Sequence, residues 1–452
     1  MSAAADKFSR LAALKPTRPM PARPAAIRTP GEEDALGRLL GAGVARNHFG
    51  EHLAVRNWFS TPEFMDPSPT TLELLSRTRD ESLSRKTRAA LEDPEKWLFL
   101  DTETTGLAGG TGTYAFLIGL AWWDAGGLQV EQFFMRDFAE EHSLLQELSQ
   151  RVAERPVLVT FNGKSFDWPL LENRFTMTRS IAVPKLAAHL DLLHPARALW
   201  KLRLGSVRLV ELERHVLDAP RLGWHRENDV SSAFIPQFYF DYLRGGPVEP
   251  LAGVVRHNQM DLRGLAALFG KINEMLSEPT GAANEIESLD LFGLSRFLQR
   301  RGEDDRAHSA CTQALAIGLP AEIRPKARRE LALMAKRRGE HARAAEIWLE
   351  VVADPHDGIH ACEQLAIYYE RHAKDMSRAV EFAQLALTKL RCQRSASPDP
   401  YLAARSTRVE QTFLHRIARL QHRIEISDGL ARPLALSSST GEPEAESRYR
   451  HR

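Results

Sequence analysis

The segment WLFLDTETTGLAGGTGTYAFLIGLAWW, residues 97–123, constrains the fold of this chain more than any other part. Its first four letters form a compact apolar run, which predicts a buried strand. Asp101 and Glu103 follow at positions i and i+2, so both carboxylates would face the same side of that strand. Two adjacent acids on a buried face repel each other and lose hydration, and a cation between them would offset that cost. The alternative is that the strand ends by Asp101 and the acids cap a turn.

The residues that follow predict a mixed α/β domain. A β-hairpin is indicated by AFLIGLAWWD and LQVEQFFMRD, which are separated by Ala125-Gly126-Gly127. A helix, a buried strand, a short helix and a further strand are then indicated by EEHSLLQELSQRVAE, PVLVTFNG, SFDWPLLENRF and AAHLDLL. We therefore expect one α/β domain over residues 91–275, which is a normal domain size.

The remainder of the 452 residues predicts further domains, because a chain of this length exceeds one ordinary core. Residues 1–90 are expected to be an N-terminal extension with short helical patches. Part of that extension is expected to be disordered, because prolines and basic residues crowd residues 1–30. Residues 286–425 show few strand signals and predict an all-α domain, whereas 426–452 is polar and predicts a disordered tail.

The composition is that of a soluble globular protein, with 43% hydrophobic and 26% charged residues. The longest apolar run, near Phe116–Trp123, is shorter than the about 20 residues that a membrane span needs. The three cysteines include no CxxC pair, which argues against disulfides or a cysteine zinc site and fits a reducing cytoplasm. The net charge of +1 gives no global basic field. We predict a cytoplasmic protein that does not bind membranes.

Three C-terminal segments repeat one pattern: FLQRRGEDDRAHSACTQAL, LMAKRRGEHARAAEIWLEVV and IYYERHAKDMSRAVEFAQLAL. Ala307, Ala344 and Ala379 mark equivalent points, 37 and 35 residues apart, near the about 34-residue tetratricopeptide period. A small residue there would open the second helix of a closely packed pair. The region therefore resembles tetratricopeptide repeats, which would dock an unknown protein partner. A generic helical bundle is the alternative.

Further acids occur where they could join Asp101 and Glu103. Asp167 stands past a strand and a glycine turn, at the start of the helix predicted in FNGKSFDWPLL. His257 and Asp261 are at i and i+4 in HNQMDLRGLAALF, on one face of another predicted helix. Taken alone, Asp167 could simply favour a helix N-terminus, and a single His/Asp pair is more often a surface pair.

Together these motifs resemble the DEDD exonuclease superfamily, which has a ribonuclease H-like fold: DxE after a strand, then NxxxxD, then a helix with the last acid. The similarity is closer still to the YprB-type ribonuclease H-like domain, through FLDTETTGLAGGTGTYAFLIGLA, TFNGKSFDWPLLENRF and VVRHNQMDLRGLAAL. The resemblance covers roughly residues 91–275 and implies a mixed sheet with flanking helices. A tetratricopeptide-like C-terminal region also suits that family.

The resemblance implies that Asp101, Glu103, Asp167 and Asp261 are catalytic acids that bind two Mg²⁺ or Mn²⁺ ions. Hard cations prefer oxygen ligands, and a pair of ions about 3.5–4 Å apart would clamp a scissile phosphate. His257 would be the catalytic general base. It stands four residues before the last acid, the spacing of the superfamily's tyrosine branch, whereas the histidine branch uses five. The alternative is a supporting or helix-surface histidine.

Six further residues are candidates for substrate binding. Small residues after the first acids would let a nucleic-acid strand approach, and a basic segment with interspersed aromatics is typical of single-strand binding. The candidates are Thr104, Thr105, Gly106, Asn162, Lys201 and Arg203. Trp200 and Trp224 would stack on bases, unless they pack inward beneath a solvated helix face. Asp191 is expected to support the site without binding metal.

We interpret the chain as a divalent-metal-dependent nuclease, a 3′→5′ exonuclease acting on single-stranded DNA or RNA. Two alternatives stay open. One is a catalytically silent nucleic-acid-binding or scaffold protein, and the other is an endonuclease that cuts internally. The sequence does not separate DNA from RNA, because no motif reports a contact to a 2′-hydroxyl.

Overall fold

The computed structural model describes residues 30–60, 68–76, 84–106, 112–219, 226, 229–277, 286–355, 357–396 and 400–431. Two compact units divide the chain, Met1–Glu303 and Asp304–Arg452. The disorder that we expect at the N-terminus falls almost wholly outside the described residues, as does most of the C-terminal tail.

The first unit is built on a seven-stranded sheet. Its strands are β1 (Gly43–Asn47), β2 (Gly50–Ser60), β3 (Trp97–Thr104), β4 (Ala115–Asp124), β5 (Gly127–Phe134), β6 (Val157–Thr160) and β7 (Ala188–Asp191). Their order is β1-β2-β5-β4-β3-β6-β7. β3 is antiparallel to β4 and parallel to β6, so the central strand joins an antiparallel half to a parallel half.

Helices flank this sheet, as a ribonuclease H-like fold predicts. They are α1 (Pro30–Leu40), α2 (Pro69–Ser76), α3 (Arg85–Leu91), α4 (Glu141–Glu154), α5 (Asp167–Thr178), α6 (Leu193–Leu204), α7 (Leu209–His215), α8 (Ile235–Leu243), α9 (Glu249–Leu276) and α10 (Ser288–Arg300). The longest of them, α9, packs across β3, β4 and β5. It therefore lies over the middle of the sheet.

The local sequence explains the central strands. The first four residues of β3 are buried, which agrees with their continuous apolar text, since a strand covered on both faces does not alternate. The predicted hairpin is confirmed as β4 and β5. Ala125 and Gly126 turn the chain between them with positive φ angles of 50° and 76°. Two-residue hairpin turns with this backbone match the twist of the strands.

Residues 43–60 differ from the helical patches that we expect in the N-terminal extension. They form β1 and β2, and β2 pairs with β5 from Leu53 opposite Phe134 to Ser60 opposite Gly127. The segment is polar, and its strand state depends on pairing with residues about 75 positions later, which no local pattern reports. Helices do occur at α2 and α3.

The second unit is helical in every regular element described: α11 (Asp304–Ile317), α12 (Arg324–Arg337), α13 (His341–Leu349), α14 (Gly358–Tyr368), α15 (Met376–Ala396) and α16 (Pro400–Ala431). α12 packs on α13 and α14 packs on α15. Ala307, Ala344 and Ala379 are buried near the starts of α11, α13 and α15, as the repeat pattern predicts. The assignment to the tetratricopeptide class stays a prediction.

A buried glutamate, Glu370, forms ion pairs with the last helix of this unit. Glu370 lies in a π-helical turn, Tyr369–Ala373, and its side chain is 5% exposed. Its carboxylate oxygens lie 3.3, 2.7 and 3.5 Å from nitrogens of Arg416, Arg419 and Arg423 on α16. The three cysteines of the chain are free thiols. Within the described residues no helix is long and apolar enough to cross a bilayer.

Candidate active site

The first two acids lie at the carboxyl end of the central strand. β3 continues to Thr104, so Asp101 and Glu103 do not cap a turn. Both are partly buried, in contrast to the fully buried residues before them. Burial, reinforced by repulsion from Asp261 and other acids, raises the pKa of both carboxyls well above the usual range. The pair is an unfavourable concentration of negative charge that a cation would relieve.

Asp167 reaches the same place from the parallel half of the sheet. It opens α5, which follows β6, the parallel neighbour of β3. The hydroxyl of Thr102 donates to Oδ1 of Asp167 at 2.5 Å and so links the helix start to β3. Burial raises the pKa of Asp167, although this hydrogen bond opposes the shift.

Asp191 shapes the loop that carries Asp167, and its supporting role at the site stays a prediction. Oδ1 accepts from the backbone N–H groups of Asn162 at 2.8 Å and Leu193 at 3.1 Å. Oδ2 accepts from the backbone N–H of Lys164 at 3.1 Å. These three hydrogen bonds of Asp191 are all made to the polypeptide backbone.

Asp261 projects from α9 and contacts Arg226, a residue of the basic segment whose pairing with this acid the sequence did not indicate. The guanidinium of Arg226 donates to Oδ1 of Asp261, to Glu213 at 2.6 Å and to Asp229 at 2.9 Å. Glu213 is nearly fully buried, and burial raises its pKa against the opposing effect of Arg226. A Cβ at Gly264 would stand 2.2 Å from Oε1 of Glu213, so this glycine allows α7 to approach α9.

His257 is held in one orientation by a residue that the sequence analysis missed. Its Nδ1 lies 2.8 Å from Oδ1 of Asp229, and its Nε2 lies 3.7 Å from Oδ2 of Asp261. Burial alone would raise the pKa of Asp229, but hydrogen bonds from Arg226 and His257 outweigh it and lower that pKa. Asp229 is therefore an ionised partner for Nδ1. Nε2 faces Asp261 and also lies 3.4 Å from Oγ of Ser232.

Asn258, the next residue on α9, contacts Asp101. Its Nδ2 donates to Oδ2 of Asp101 at 2.8 Å and to the carbonyl oxygen of Asp101 at 3.2 Å. Its Oδ1 accepts from Nε2 of Gln132 at 2.8 Å. The sequence signal for Asn258 was its place inside HNQMD, beside His257, whereas nothing in the local sequence indicates Gln132.

The donor set suits a hard divalent cation. Asp101, Glu103, Asp167 and Asp261 supply only oxygen atoms, the ligands that Mg²⁺ and Mn²⁺ prefer. In the part of the chain that the structure describes, no three His, Cys, Asp or Glu side chains are gathered closely enough to hold an ion. Arg226 is paired with Asp261, so an ion bound at that carboxylate would compete with the guanidinium. In their chemistry, the four acids fit a hard divalent ion.

The predicted substrate-binding residues after β3 form hydrogen bonds within their own loop. The hydroxyl of Thr104 donates to the carbonyl oxygen of Gly106 at 3.0 Å, and Oγ1 of Thr105 accepts from the backbone N–H of Tyr114 at 2.9 Å. Residues 107–111 lie outside the described chain. Asn162 adopts a positive φ of 69° and turns the backbone after β6. Their substrate roles stay predictions.

The basic segment after β7 contains both exposed residues and residues that are paired or buried within the domain. Lys201 is exposed on α6, as substrate binding requires. Arg203 instead pairs with buried Asp290 of α10, with Nε 2.9 Å from both carboxylate oxygens, which argues against a phosphate role. Trp200 is 1% exposed, so the inward-packing alternative holds for it. Trp224 lies outside the described residues.

A mixed sheet with acids at the end of its central strand and on two adjoining helices defines a ribonuclease H-like domain. The family comparison agrees: residues 98–273 match the RNase_H superfamily, and this part of the chain is a domain of that superfamily. Over 324 residues the chain is 29% identical to YprB of Bacillus subtilis (strain 168), which is described as an uncharacterized protein. The alignment covers 71% of this chain and 76% of YprB.

Proposed function

We propose that the first unit is a DEDD-type, divalent-metal-dependent nuclease that acts as a 3′→5′ exonuclease on single-stranded DNA or RNA. The observation that carries the proposal is the electrostatic interaction among the four acids: burial raises the pKa of Asp101, and repulsion from Asp261, Glu103 and Asp167 raises it further. An RNase H-like domain suggests nuclease activity and implies nucleic-acid binding. Nucleases of this superfamily generally use divalent metal ions.

The four acids would hold two Mg²⁺ or Mn²⁺ ions. When bound, such ions activate the attacking water and stabilise the leaving 3′ oxygen. His257 would accept the proton of that water at Nε2, the nitrogen that faces Asp261. Asp229 would keep the ring in that orientation and stabilise the imidazolium that forms, because it holds Nδ1.

Features beside the acids support a single-stranded substrate. Phe166 directly precedes Asp167 and its side chain is 60% exposed. An exposed ring next to a catalytic acid offers a stacking surface, and base stacking contributes about 1–3 kcal/mol per base. Lys201 would contact phosphates from α6, and the backbone around Thr104, Thr105 and Gly106 would border the strand.

The test is an Asp101→Asn variant, which removes one ligand charge with little change in shape. We expect the Mn²⁺-dependent release of nucleotides from single-stranded DNA and RNA oligonucleotides to fall at least about 100-fold. Asp124→Asn, at the exposed last residue of β4, is the matched control and should keep wild-type activity. Wild-type release by Asp101→Asn would refute the proposal. Cleavage of a circular substrate would favour the endonuclease alternative.

One observation favours the catalytically silent alternative. Arg226 is paired with Asp261, so a divalent ion would have to compete with a guanidinium for that carboxylate. A titration with Mn²⁺ separates the two functions, because a silent scaffold would show neither ion binding nor turnover. The protein partner of the second unit and the cytoplasmic location stay predictions from the sequence.

A further inference from the structure

A row of three residues crosses the sheet at Asp101. Asp101 lies opposite Gly119 between β3 and β4, and Gly119 lies opposite Gln132 between β4 and β5. Residues directly opposite one another present their side chains on one face of a sheet. Strands are about 4.8 Å apart, so two strand spacings, about 10 Å, separate Asp101 from Gln132. The glycine leaves a gap between these two polar side chains.

Asn258 of α9 fills that gap. A Cβ at Gly119 would stand 2.1 Å from Oδ1 of Asn258 and 2.8 Å from its Cγ, so the amide lies directly on the glycine backbone. From this position Asn258 donates to Oδ2 of Asp101 and accepts from Gln132, both at 2.8 Å. Asn258 and Gln132 are each fully buried. A continuous buried chain of hydrogen bonds thus runs from Gln132 to Asp101.

The chain has a fixed direction. Nε2 of Gln132 lies 2.8 Å from both the carbonyl oxygen of Val255 and Oδ1 of Asn258, and two acceptors require an amide nitrogen there. The carbonyl side of the Asn258 amide is therefore turned to Gln132 and its NH₂ to Asp101. Oε1 of Gln132 has no hydrogen-bond partner among the described residues, an unfavourable feature that this orientation of the amide entails.

Resting on the nuclease function proposed above, we propose that Asn258, oriented by Gln132 over Gly119, is a positioning residue for Asp101. By holding Oδ2 it presents Oδ1 to the divalent ions and keeps the carboxylate from turning away. Groups that orient a metal ligand in this way typically contribute about 10–100-fold to metal affinity.

The test is Mn²⁺ binding, followed by the electron paramagnetic resonance signal of free Mn²⁺, in wild type and Asn258→Ala. We expect the dissociation constant to rise at least about tenfold in Asn258→Ala. The matched control is Asn273→Ala, on the same helix, where a buried asparagine accepts from the backbone N–H of Ser68 at 3.0 Å. That control should bind Mn²⁺ like wild type. Wild-type affinity in folded Asn258→Ala would overturn the inference.

Gln132→Met keeps the test decisive if Asn258→Ala does not fold. It removes the donor that orients Asn258, leaves Asp101 untouched and eliminates the unpartnered Oε1. Gln129→Met is its control, since Gln129 lies on the same strand and donates to the carbonyl oxygens of Asn57 and Val130 at 3.0 and 3.1 Å. We expect weaker Mn²⁺ binding in Gln132→Met alone. Equal affinity in the two methionine variants would contradict the proposed orientation.

A second readout separates positioning from a general structural defect. Raising the Mn²⁺ concentration should restore much of the cleavage rate of Asn258→Ala, whereas metal would not rescue a misfolded site. If wild-type protein binds no Mn²⁺ and cleaves nothing, the nuclease proposal and this inference both fail. If wild type binds and cleaves but the Asn258 and Gln132 variants match it at every Mn²⁺ concentration, only the positioning role fails.

Discussion

Three acids beside the candidate site share one cation, Arg226. Its guanidinium contacts Glu213, Asp229 and Asp261, and only 11% of its side chain is exposed. Glu213 is the most deeply buried of the three acids, with 4% of its side chain exposed. A buried carboxylate keeps its charge only while a partner is present, so the pair is best tested by removing one member at a time.

We predict that Arg226→Met destabilises the metal-free protein by about 3–5 kcal/mol, because it leaves Glu213 buried without its cation. Urea unfolding in the presence of EDTA measures this change. Adding Glu213→Gln to Arg226→Met should recover part of the loss, since the unpaired charge is then gone. The two single variants and the double variant form a cycle, and additive effects would contradict the coupling.

His189 gives the first unit a pH-dependent stability. Its Nε2 lies 2.9 Å from Oγ1 of Thr160, and burial, helped by Lys164, lowers the pKa of its imidazole to about 4. The unfolded imidazole has a pKa of about 6.5, so the unfolded state takes up the proton first. Stability is therefore complete above about pH 6.5 and is lost as the pH falls towards 4, by up to about 3 kcal/mol.

His189→Gln should flatten this dependence, because glutamine does not titrate. The measurement is the thermal midpoint of the first unit between about pH 7 and 4.5, compared with wild type. His215→Gln provides the control, as that side chain is 47% exposed in the same unit. An unchanged acid slope in His189→Gln would show that other groups set the pH dependence.

At the scale of elements, α9 carries most of the chemistry that the sheet does not. His257, Asn258 and Asp261 lie within about one and a half turns, and Gly119 allows this part of the helix to lie on β4. The helix spans 28 residues, so its placement over β3–β5 is fixed along the length of the domain. How closely α9 approaches the sheet beside Asp101 depends on Gly119, which has no side chain.

Gly119→Ala should therefore destabilise the first unit by about 1–3 kcal/mol, because its Cβ would overlap Asn258 and Leu262. Gly37→Ala is the control: a Cβ there would meet nothing closer than 3.8 Å, and alanine favours a helix by about 0.5–1 kcal/mol. Chemical denaturation compares the two. A neutral Gly119→Ala would mean that α9 can shift without cost.

Local patterns predicted the elements that form by themselves. The apolar run of β3, the hairpin glycines and the periodicity of α9 gave those elements, and the spacing of Asp101 and Glu103 indicated the first two acids. The resemblance to the DEDD superfamily added Asp167 and Asp261. Neither the local patterns nor the resemblance revealed the contacts of Gln132, Arg226 and Asp229. These residues act through contacts with positions 28 to 126 residues away, which depend on strand register and helix packing.

At the scale of the whole molecule, the N-terminal hairpin completes the sheet. β2 covers one edge of β5 over eight paired positions, from Leu53 to Ser60. Without it, the apolar β5 would present unpaired backbone groups to other chains. The first unit therefore extends well before residue 91, where the sequence predicted its start.

Removing residues 1–60 should cause self-association, because β5 becomes an exposed edge. Size-exclusion chromatography with light scattering measures this outcome. A truncation of residues 1–29 is the control, since it leaves β1 and β2 intact. A shortened chain that lacks β1 and β2 and stays monomeric would show that the edge is protected in another way.

Glu370 also reduces the attraction that the arginines of α16 would exert on anions. Arg416, Arg419 and Arg423 recur at spacings of three and four residues, the pattern of a basic stripe along one face of α16. A polyphosphate binding to that face would have to compete for the arginines with a buried carboxylate that already pairs with them. The helix is thus a weaker attractor of anions than its charge count suggests, and Glu370 sets the difference.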